Sequence, residues 1–214
     1  MKRLNYLFGI LLFTSMLASC EEHIEPIDYS LKVGNILLSD DRIIPPAAWD
    51  STQQKAAGII FGVKNDTAYA VGLKELGTYS YCDSTATVSN VNSDATNLDG
   101  LANTASLLVF ASTNGVKVPA ATIASSYVSG LSGWYLPSCG ELQLLAKNLE
   151  TVKTSLELVK GDSFSDAQYI SSSQDGTNSS SEQLYCFSVS LNQGYVTSTL
   201  KTEKHKVRPV IIIR

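Results

Sequence analysis

Alternating apolar and polar positions predict short strands at the start of the chain. The segments "VGNILLSDDRII" and "AGIIFGVKNDTAYAVGL" each contain two apolar stretches separated by turn residues. In the second segment, Ile59, Phe61 and Val63 alternate along one arm, and "KND" forms the turn. We therefore predict a small antiparallel β unit over residues 32–76.

The middle of the chain changes to a helical period. Residues 77–97 are rich in Ser, Thr and Asn without periodicity, which predicts an irregular loop. In "LANTASLLVFAS" the apolar residues recur at helical spacing up to Asn114-Gly115, which predicts a helix ending there. The segment "VPAATIASSYVSG" predicts a second, Ala-rich helix.

The stretch "GWYLPSCGEL" predicts a strand end followed by a helix. Trp134 and Leu136 are expected in the core, and Pro137 ends the strand. Ser138 and Glu141 have the S-x-x-E spacing of a capping box, in which each side chain bonds a backbone N–H of the other residue. The helix that begins here is predicted to continue to about Gly161.

The last third returns to β structure. We predict strands in "AQYISSS", "LYCFSVSL", "YVTSTL" and "HKVRPVIIIR". In the second of these, Phe187 and Val189 lie on one face, and Cys186, Ser188 and Ser190 on the other. A proline inside the last strand predicts an edge position or a bulge. The whole pattern predicts an α+β fold with short helices packed on antiparallel sheets.

The N-terminus has the layout of a secretory signal over residues 1–19: two basic residues, a short apolar run and small residues at the cut. The sequence "LASC" resembles the lipobox of bacterial lipoproteins, which implies a diacylglyceryl group on Cys20 and attachment to a membrane. An ordinary signal peptide with Cys20 near the cut is the alternative. Residues 20–31 have no apolar period and predict a flexible tether.

The charge and the cysteine content of the chain argue against several classes of partner and cofactor. Without residues 1–19, 14 basic residues face 20 acidic ones, a net charge of −6, which disfavours nucleic acid as a partner. Lipidation of Cys20 leaves Cys82, Cys139 and Cys186, of which one pair at most can form a disulfide. The chain has no CxxC or Cys/His cluster, so we expect no structural zinc and no cofactor.

The order of the motifs "GWYLPSCGEL", "YISSS", "FSVSLNQGYV" and "KVRPVIII" resembles bacterial C-type-lectin-like domains of surface lipoproteins. This resemblance implies one C-type-lectin-like domain over residues 32–214, with its core in 98–214. It also implies a structural role for Arg208 in the V-R-P-V strand. Two positions depart from the family: Ile170 replaces a usual Trp, and Leu184-Tyr185 replace a common Ala-Trp pair.

The resemblance extends to formylglycine-generating enzymes, which need a pair of reactive cysteines. Cys139 lies at a predicted helix start, which lowers a thiol pKa. A nucleophile also needs a base. The chain has only His23, in the tether, and His205, in a charged segment that we interpret as a solvated turn. Without a suitable base we expect no catalysis. The triplets with which lectins of this fold bind calcium are absent, so we also expect no metal site.

The remaining hypothesis is calcium-independent binding of a glycan or a protein by polar hairpins, on an exported lipoprotein of the outer membrane or cell surface. Their mixture of small polar residues with tyrosines is typical of adaptable recognition surfaces. In some members of the family, diversity-generating retroelements vary this segment. An ordinary solvated hairpin, or a subunit of a larger surface assembly, are the alternatives. The candidate residues are Gln174, Asp175, Asn178, Glu182, Gln183, Tyr185, Ser188, Ser190, Asn192, Tyr195, Thr197 and Thr199.

Overall fold

The computed structural model describes residues 26–177 and 179–213 and has an α+β architecture. The predicted signal segment, Cys20 and Asn178 lie outside the described residues. The strands are β1 (Ile36–Leu38), β2 (Ile43–Ile44), β3 (Ala56–Lys64), β4 (Thr67–Gly72), β5 (Thr78–Ser80), β6 (Gln168–Gln174), β7 (Tyr185–Ser190), β8 (Val196–Leu200), β9 (Lys204–Lys206) and β10 (Val210–Ile213). The helices are α1 (Gly100–Asn114), α2 (Pro119–Ser125), α3 (Cys139–Lys147), α4 (Leu149–Leu158) and α5 (Ser179–Leu184), with a 3-10 turn at Pro46–Ala48.

The first sheet is antiparallel, with the strand order β10-β4-β3-β1-β2. The predicted hairpin is its centre. Asn65 (φ 48°) and Asp66 (φ 61°) form its turn in the left-handed region, as a two-residue hairpin loop requires. The last strand, β10, joins the predicted N-terminal unit at one edge, which is one of the two predicted outcomes, but Pro209 precedes the strand and does not lie inside it.

The second sheet has the order β5-β9-β6-β7-β8 and is antiparallel except for the β6–β9 pair. One of its strands, β5, was not predicted and lies inside the stretch interpreted as irregular. The strand predicted over "HKVRPVIIIR" is divided into β9 and β10, which belong to different sheets, and β9 includes part of the segment interpreted as a solvated turn. The charged residues of "KTEKHK" are typical of a solvated turn, but the backbone of three of these residues pairs with β5 and β6.

Apolar side chains form three clusters around these sheets. The largest fills the space between the two sheets and is closed by the apolar sides of α3 and α4. A second lies on the other side of the second sheet, beneath α1 and α2. The third covers the outer side of the first sheet and includes Trp134, whose Nε1 donates to Leu131 O at 3.1 Å.

Helix α1 ends as predicted, with Gly115 in the left-handed conformation (φ 67°) and its N–H bonded to Ala111 O. Its buried side, however, is partly polar. Thr104 is buried because its hydroxyl donates to Leu136 O and accepts from Leu136 N, both at 3.1 Å. The apolar Leu101 and Val109 are 45% and 64% exposed.

The capping box predicted from S-x-x-E is present at the start of α3, with Ser138 and Glu141 both buried. The helix is interrupted, however, and does not continue unbroken to Gly161. Asn148 separates α3 from α4, because its Nδ2 donates to Phe61 O at 2.9 Å and to Leu144 O at 3.2 Å. The break fixes both helices to β3 in the first sheet.

The other residues predicted to be structural are also buried, namely Leu136, Pro137 and Arg208. The Arg208 guanidinium donates to Gly72 O at 2.8 Å and to Asp162 O at 3.0 Å. Within residues 26–177 and 179–213, no helix combines the length and the apolar character needed to cross a membrane.

Candidate functional site

The structure describes eleven of the twelve candidate residues, all except Asn178, and these differ in their burial. Gln183, Asn192, Tyr195 and Thr197 are exposed, and Glu182 and Tyr185 are half-buried. Five others are enclosed in the protein: Gln174, Asp175, Ser188, Ser190 and Thr199. The predicted binding surface is therefore smaller than the sequence indicated.

Strand β7 explains part of this difference, because both of its faces are buried. Phe187 and Val189 point into the cluster between the sheets, whereas Cys186 belongs to the cluster beneath α1 and α2. The prediction that Ser188 and Ser190 face solvent was wrong, since alternation alone does not show that a second layer covers the polar face. The Ser188 hydroxyl lies 3.4 Å from Thr197 O on the neighbouring strand.

The Gln174 side chain belongs to a buried hydrogen-bond network around Lys201. Lys201 was not among the residues predicted from the sequence. The fully buried Lys201 ammonium donates to Ala86 O at 2.6 Å, Gln174 Oε1 at 2.6 Å and Glu182 O at 2.5 Å. The Gln174 amide also exchanges two hydrogen bonds with the backbone of Val88, at 2.8 and 2.9 Å. Burial lowers the pKa of Lys201 to about 8.

Asp175 and Thr199 bond to neighbouring side chains. The Asp175 carboxylate accepts from the Ser198 hydroxyl at 2.6 Å. Burial acts to raise the pKa of Asp175, but hydrogen bonds from Ser198 and Thr177 outweigh it and lower the pKa below its ordinary value. The Thr199 hydroxyl lies 2.6 Å from Glu203 Oε2 and 2.7 Å from His205 Nε2.

The exposed and half-buried candidates fall into two groups along the β7–β8 hairpin. The first comprises Glu182 and Gln183 on α5. The second lies on residues 192–198, which we call the hairpin tip. The six residues of β7 span roughly 20 Å at the usual rise of a strand, and Tyr195 bonds Ser190 at the end far from α5. Thr197 and Ser198 pair with Ser188 and Phe187 in the middle of the strand.

Tyr195 is the most exposed large side chain of the hairpin tip, at 68%. Thr197 and Ser198 beside it are exposed, and Val196 is 37% exposed. Asn192, at the start of the tip, is held in place: its Nδ2 donates to Asp166 Oδ1 at 3.0 Å, and Lys153 Nζ lies 3.3 Å from its Oδ1. The exposure of Val196 and Ser198 was not predicted, because an alternating pattern assigns only one face of a strand to solvent.

No protein-family model matches the chain, and no curated protein matches its sequence. Among solved structures, it is similar to a fimbrial protein from Bacteroides ovatus ATCC 8483, with a TM-score of 0.64 and 16% sequence identity. The likeness covers 85% of this chain and 48% of that one, so this chain spans about half the length of that structure. At this identity the likeness shows a shared fold.

Cys139 does not have the surroundings of a nucleophile. The residue is completely buried, and burial raises the pKa of its thiol to about 12 in spite of its position at the start of α3. Its Sγ lies 3.5 Å from Gln143 Nε2, a neutral amide that cannot act as a base. Cys82 and Cys186 are likewise buried, and all three thiols are free.

We expect these three thiols to resist alkylation in the folded chain from Glu21 onward. Burial excludes the reagent, and the raised pKa values of Cys139 and Cys186 keep the thiolate fraction low. Mass spectrometry after iodoacetamide treatment at pH 8 should show no adduct under native conditions and three adducts in urea. Rapid native modification of Cys139 would contradict this arrangement.

Among the described residues, no group of three or more His, Cys, Asp and Glu side chains is arranged to hold a metal ion. The hairpin tip presents hydroxyl, amide and aromatic groups. These groups can form hydrogen bonds and stacking contacts, which are the interactions of recognition.

Proposed function

We propose that this chain is a non-catalytic cell-surface protein that binds a glycan or protein ligand at its hairpin tip. In this proposal its α+β fold is C-type-lectin-like, and lipid on Cys20 attaches the exported chain to a membrane. The similarity to a fimbrial protein supports a place at the cell surface. The order of the sequence motifs supports the lectin-like assignment.

The observation that carries the proposal is the exposure of Tyr195, at 68%, directly before the edge strand β8. An exposed tyrosine presents an aromatic face and a hydroxyl at low conformational-entropy cost, which favours it as a binding anchor. The hydroxyls of Thr197 and Ser198 lie next to it in the chain, and Asn192 is fixed by Asp166 and Lys153. A partly fixed surface loses less entropy on binding.

The proposal predicts that Tyr195→Ala weakens ligand binding about tenfold or more, because aromatic anchors dominate binding energy. Glycan arrays and host-protein arrays should first be screened with the chain from Glu21 onward, with and without EDTA. The matched control is Tyr29→Ala, since Tyr29 is 61% exposed but lies outside the hairpin. Binding should survive EDTA and the control substitution. A ligand that binds the Tyr195 variant and the wild type equally would contradict the proposed site.

A second candidate function is that of a subunit in a larger surface assembly. The supporting observation is the edge strand β10, of sequence "VIII", which pairs on one side with β4. Its first residue, Val210, bonds Tyr135 on the other side, and Ile212 and Ile213 beyond it are half-buried. Assembly through β10 would be abolished by Ile212→Asp and unaffected by Tyr195→Ala, which separates the two functions by sedimentation analysis.

A further inference from the structure

Strand β8 occupies one edge of the second sheet and projects beyond both apolar clusters. It pairs with β7 over five consecutive residues without a bulge. Residues 196–198 are nevertheless exposed, although they include both faces of the strand. Residues 196–198 are therefore ordered by backbone pairing to β7 and exposed on the other side, whereas Thr199 is buried.

The hydrogen bonds at the two ends of β8 show which backbone groups point outward. Tyr195 O accepts from Ser190 N at 3.0 Å, and Lys201 N donates to Leu184 O at 3.0 Å, so these residues face β7. Since antiparallel pairing alternates along a strand, Thr197 and Thr199 also face β7, whereas Val196 and Ser198 face away from it. In the described part of the chain, no group bonds the outward N–H and C=O of Val196 and Ser198.

This edge lacks the features that normally prevent pairing with another strand. Natural edge strands are protected by lysine, proline, bulges or very short length. The five residues of β8, "VTSTL", include none of these. By comparison, β2 and β5 have only two and three residues, and Tyr135 bonds the outer side of Val210 in β10.

We propose that the hairpin tip binds an extended segment of a partner protein, which adds to the outer edge of β8 as a sixth strand. This proposal rests on the proposed function and specifies the class of ligand. Two residues with outward N–H and C=O groups supply two donors and two acceptors, which a peptide backbone matches. Tyr195, next to the strand, would pack against a side chain of that segment.

Charge favours a partner over a second copy of this chain. The carboxylates of Asp175 and Glu203 bond the hydroxyls of Ser198 and Thr199, so acidic groups lie along β8. A pairing of two copies of β8 would bring together two chains of the same charge, each with a net charge of −6 without residues 1–19. An extended segment with basic side chains has the complementary charge.

The test uses peptides selected from a displayed library of random 12-residue sequences on the chain from Glu21 onward. Val196→Pro removes the outward N–H without removing a bond to β7, and should weaken the selected peptides about tenfold or more in calorimetry. Val196→Thr is the matched control: it keeps the N–H and a β-branched side chain, and should change the affinity less than about twofold. The selected peptides should be rich in β-branched and basic residues.

Amide hydrogen exchange in the wild type gives a second measurement that does not depend on a variant folding. Peptide binding should slow exchange at Val196 and Ser198 and leave Thr197 and Thr199, already bonded to β7, unchanged. Peptides that bind the Val196→Pro variant normally, or leave both outward amides unprotected, would overturn strand addition. So would a selection that yields no binder, or a self-association that Val196→Pro abolishes. If strand addition is overturned but Tyr195→Ala still weakens the binding of a ligand, the proposed function survives. If Tyr195→Ala weakens the binding of no ligand, the proposed function fails as well.

Discussion

Replacing Glu141 by alanine should lower the free energy of unfolding by about 4 kcal/mol, because it leaves buried donors without an acceptor. The Glu141 carboxylate is completely buried and accepts from Ser138 N at 2.8 Å and from the Tyr135 hydroxyl at 3.0 Å. It also accepts a bond from the backbone of Gly100, the first residue of α1. One side chain thus satisfies the starts of two helices.

Urea denaturation should measure this loss against two other variants. Glu157→Ala removes an exposed glutamate and should change the free energy of unfolding by less than about 0.5 kcal/mol. Glu141→Gln keeps one carbonyl oxygen but points an amide NH₂ at a donor, so its loss should lie between the other two. A Glu141→Ala protein as stable as Glu157→Ala would show that water replaces the carboxylate without penalty.

The same carboxylate makes stability depend on pH. Burial raises the pKa of Glu141 from 4.5 to about 7, despite the donors around it. The folded chain then holds the proton more tightly than the unfolded chain. The resulting stabilisation is complete below pH 4.5 and is lost as the pH rises through 7, in total about 3 kcal/mol.

We therefore expect the wild type to lose stability relative to Glu141→Gln between pH 5 and pH 8. The comparison is needed because His205 changes stability in the opposite direction. Burial lowers the pKa of His205, so its contribution to the stability of the fold grows as the pH rises. His205 is present in both proteins and cancels in the difference. Urea midpoints of the two proteins that remain parallel over this range would contradict the raised pKa.

Features set by neighbours in the chain were predictable from the sequence. The capping box of Ser138 and Glu141, the turn at Asn65 and Asp66, and the edge position announced by Pro209 each follow from local backbone geometry. The position of Trp134 in the core follows from its size. These features define the helix starts and the sheet edges, and the α+β class follows from them.

The candidate site was less predictable, because burial depends on what packs on top of a strand. Ser188 has the pattern of a solvent-facing residue, yet its strand lies between two apolar clusters. On α1, Thr104 is buried against the backbone of Leu136, to which its hydroxyl bonds, whereas Val109 lies on an exposed side of the helix. Burial of this kind can be predicted only when the partner residue is known, and that residue lies far away in the chain.

Lys201 is the strongest case of a residue whose role only the structure reveals. Its ammonium bonds the loop at Ala86, strand β6 at Gln174 and helix α5 at Glu182. In the sequence it is one of several lysines in a polar segment. Its burial opposes the charge by about 3 kcal/mol, the equivalent of lowering the pKa from 10.5 to about 8. The ammonium donates to Ala86 O and Glu182 O, so its removal takes a donor away from each of these carbonyl oxygens.

Lys201→Met should therefore lower the free energy of unfolding by about 2–4 kcal/mol, since methionine fills the space but leaves Ala86 O and Glu182 O without their donor. The control Lys204→Met removes an exposed lysine three residues away and should have little effect. Hydrogen exchange should accelerate at Val88, whose N–H bonds Gln174. Binding that depends on Tyr195 should persist, because Tyr195 lies at the other end of β7. Equal or greater stability in Lys201→Met would mean that desolvation of the ammonium outweighs its hydrogen bonds.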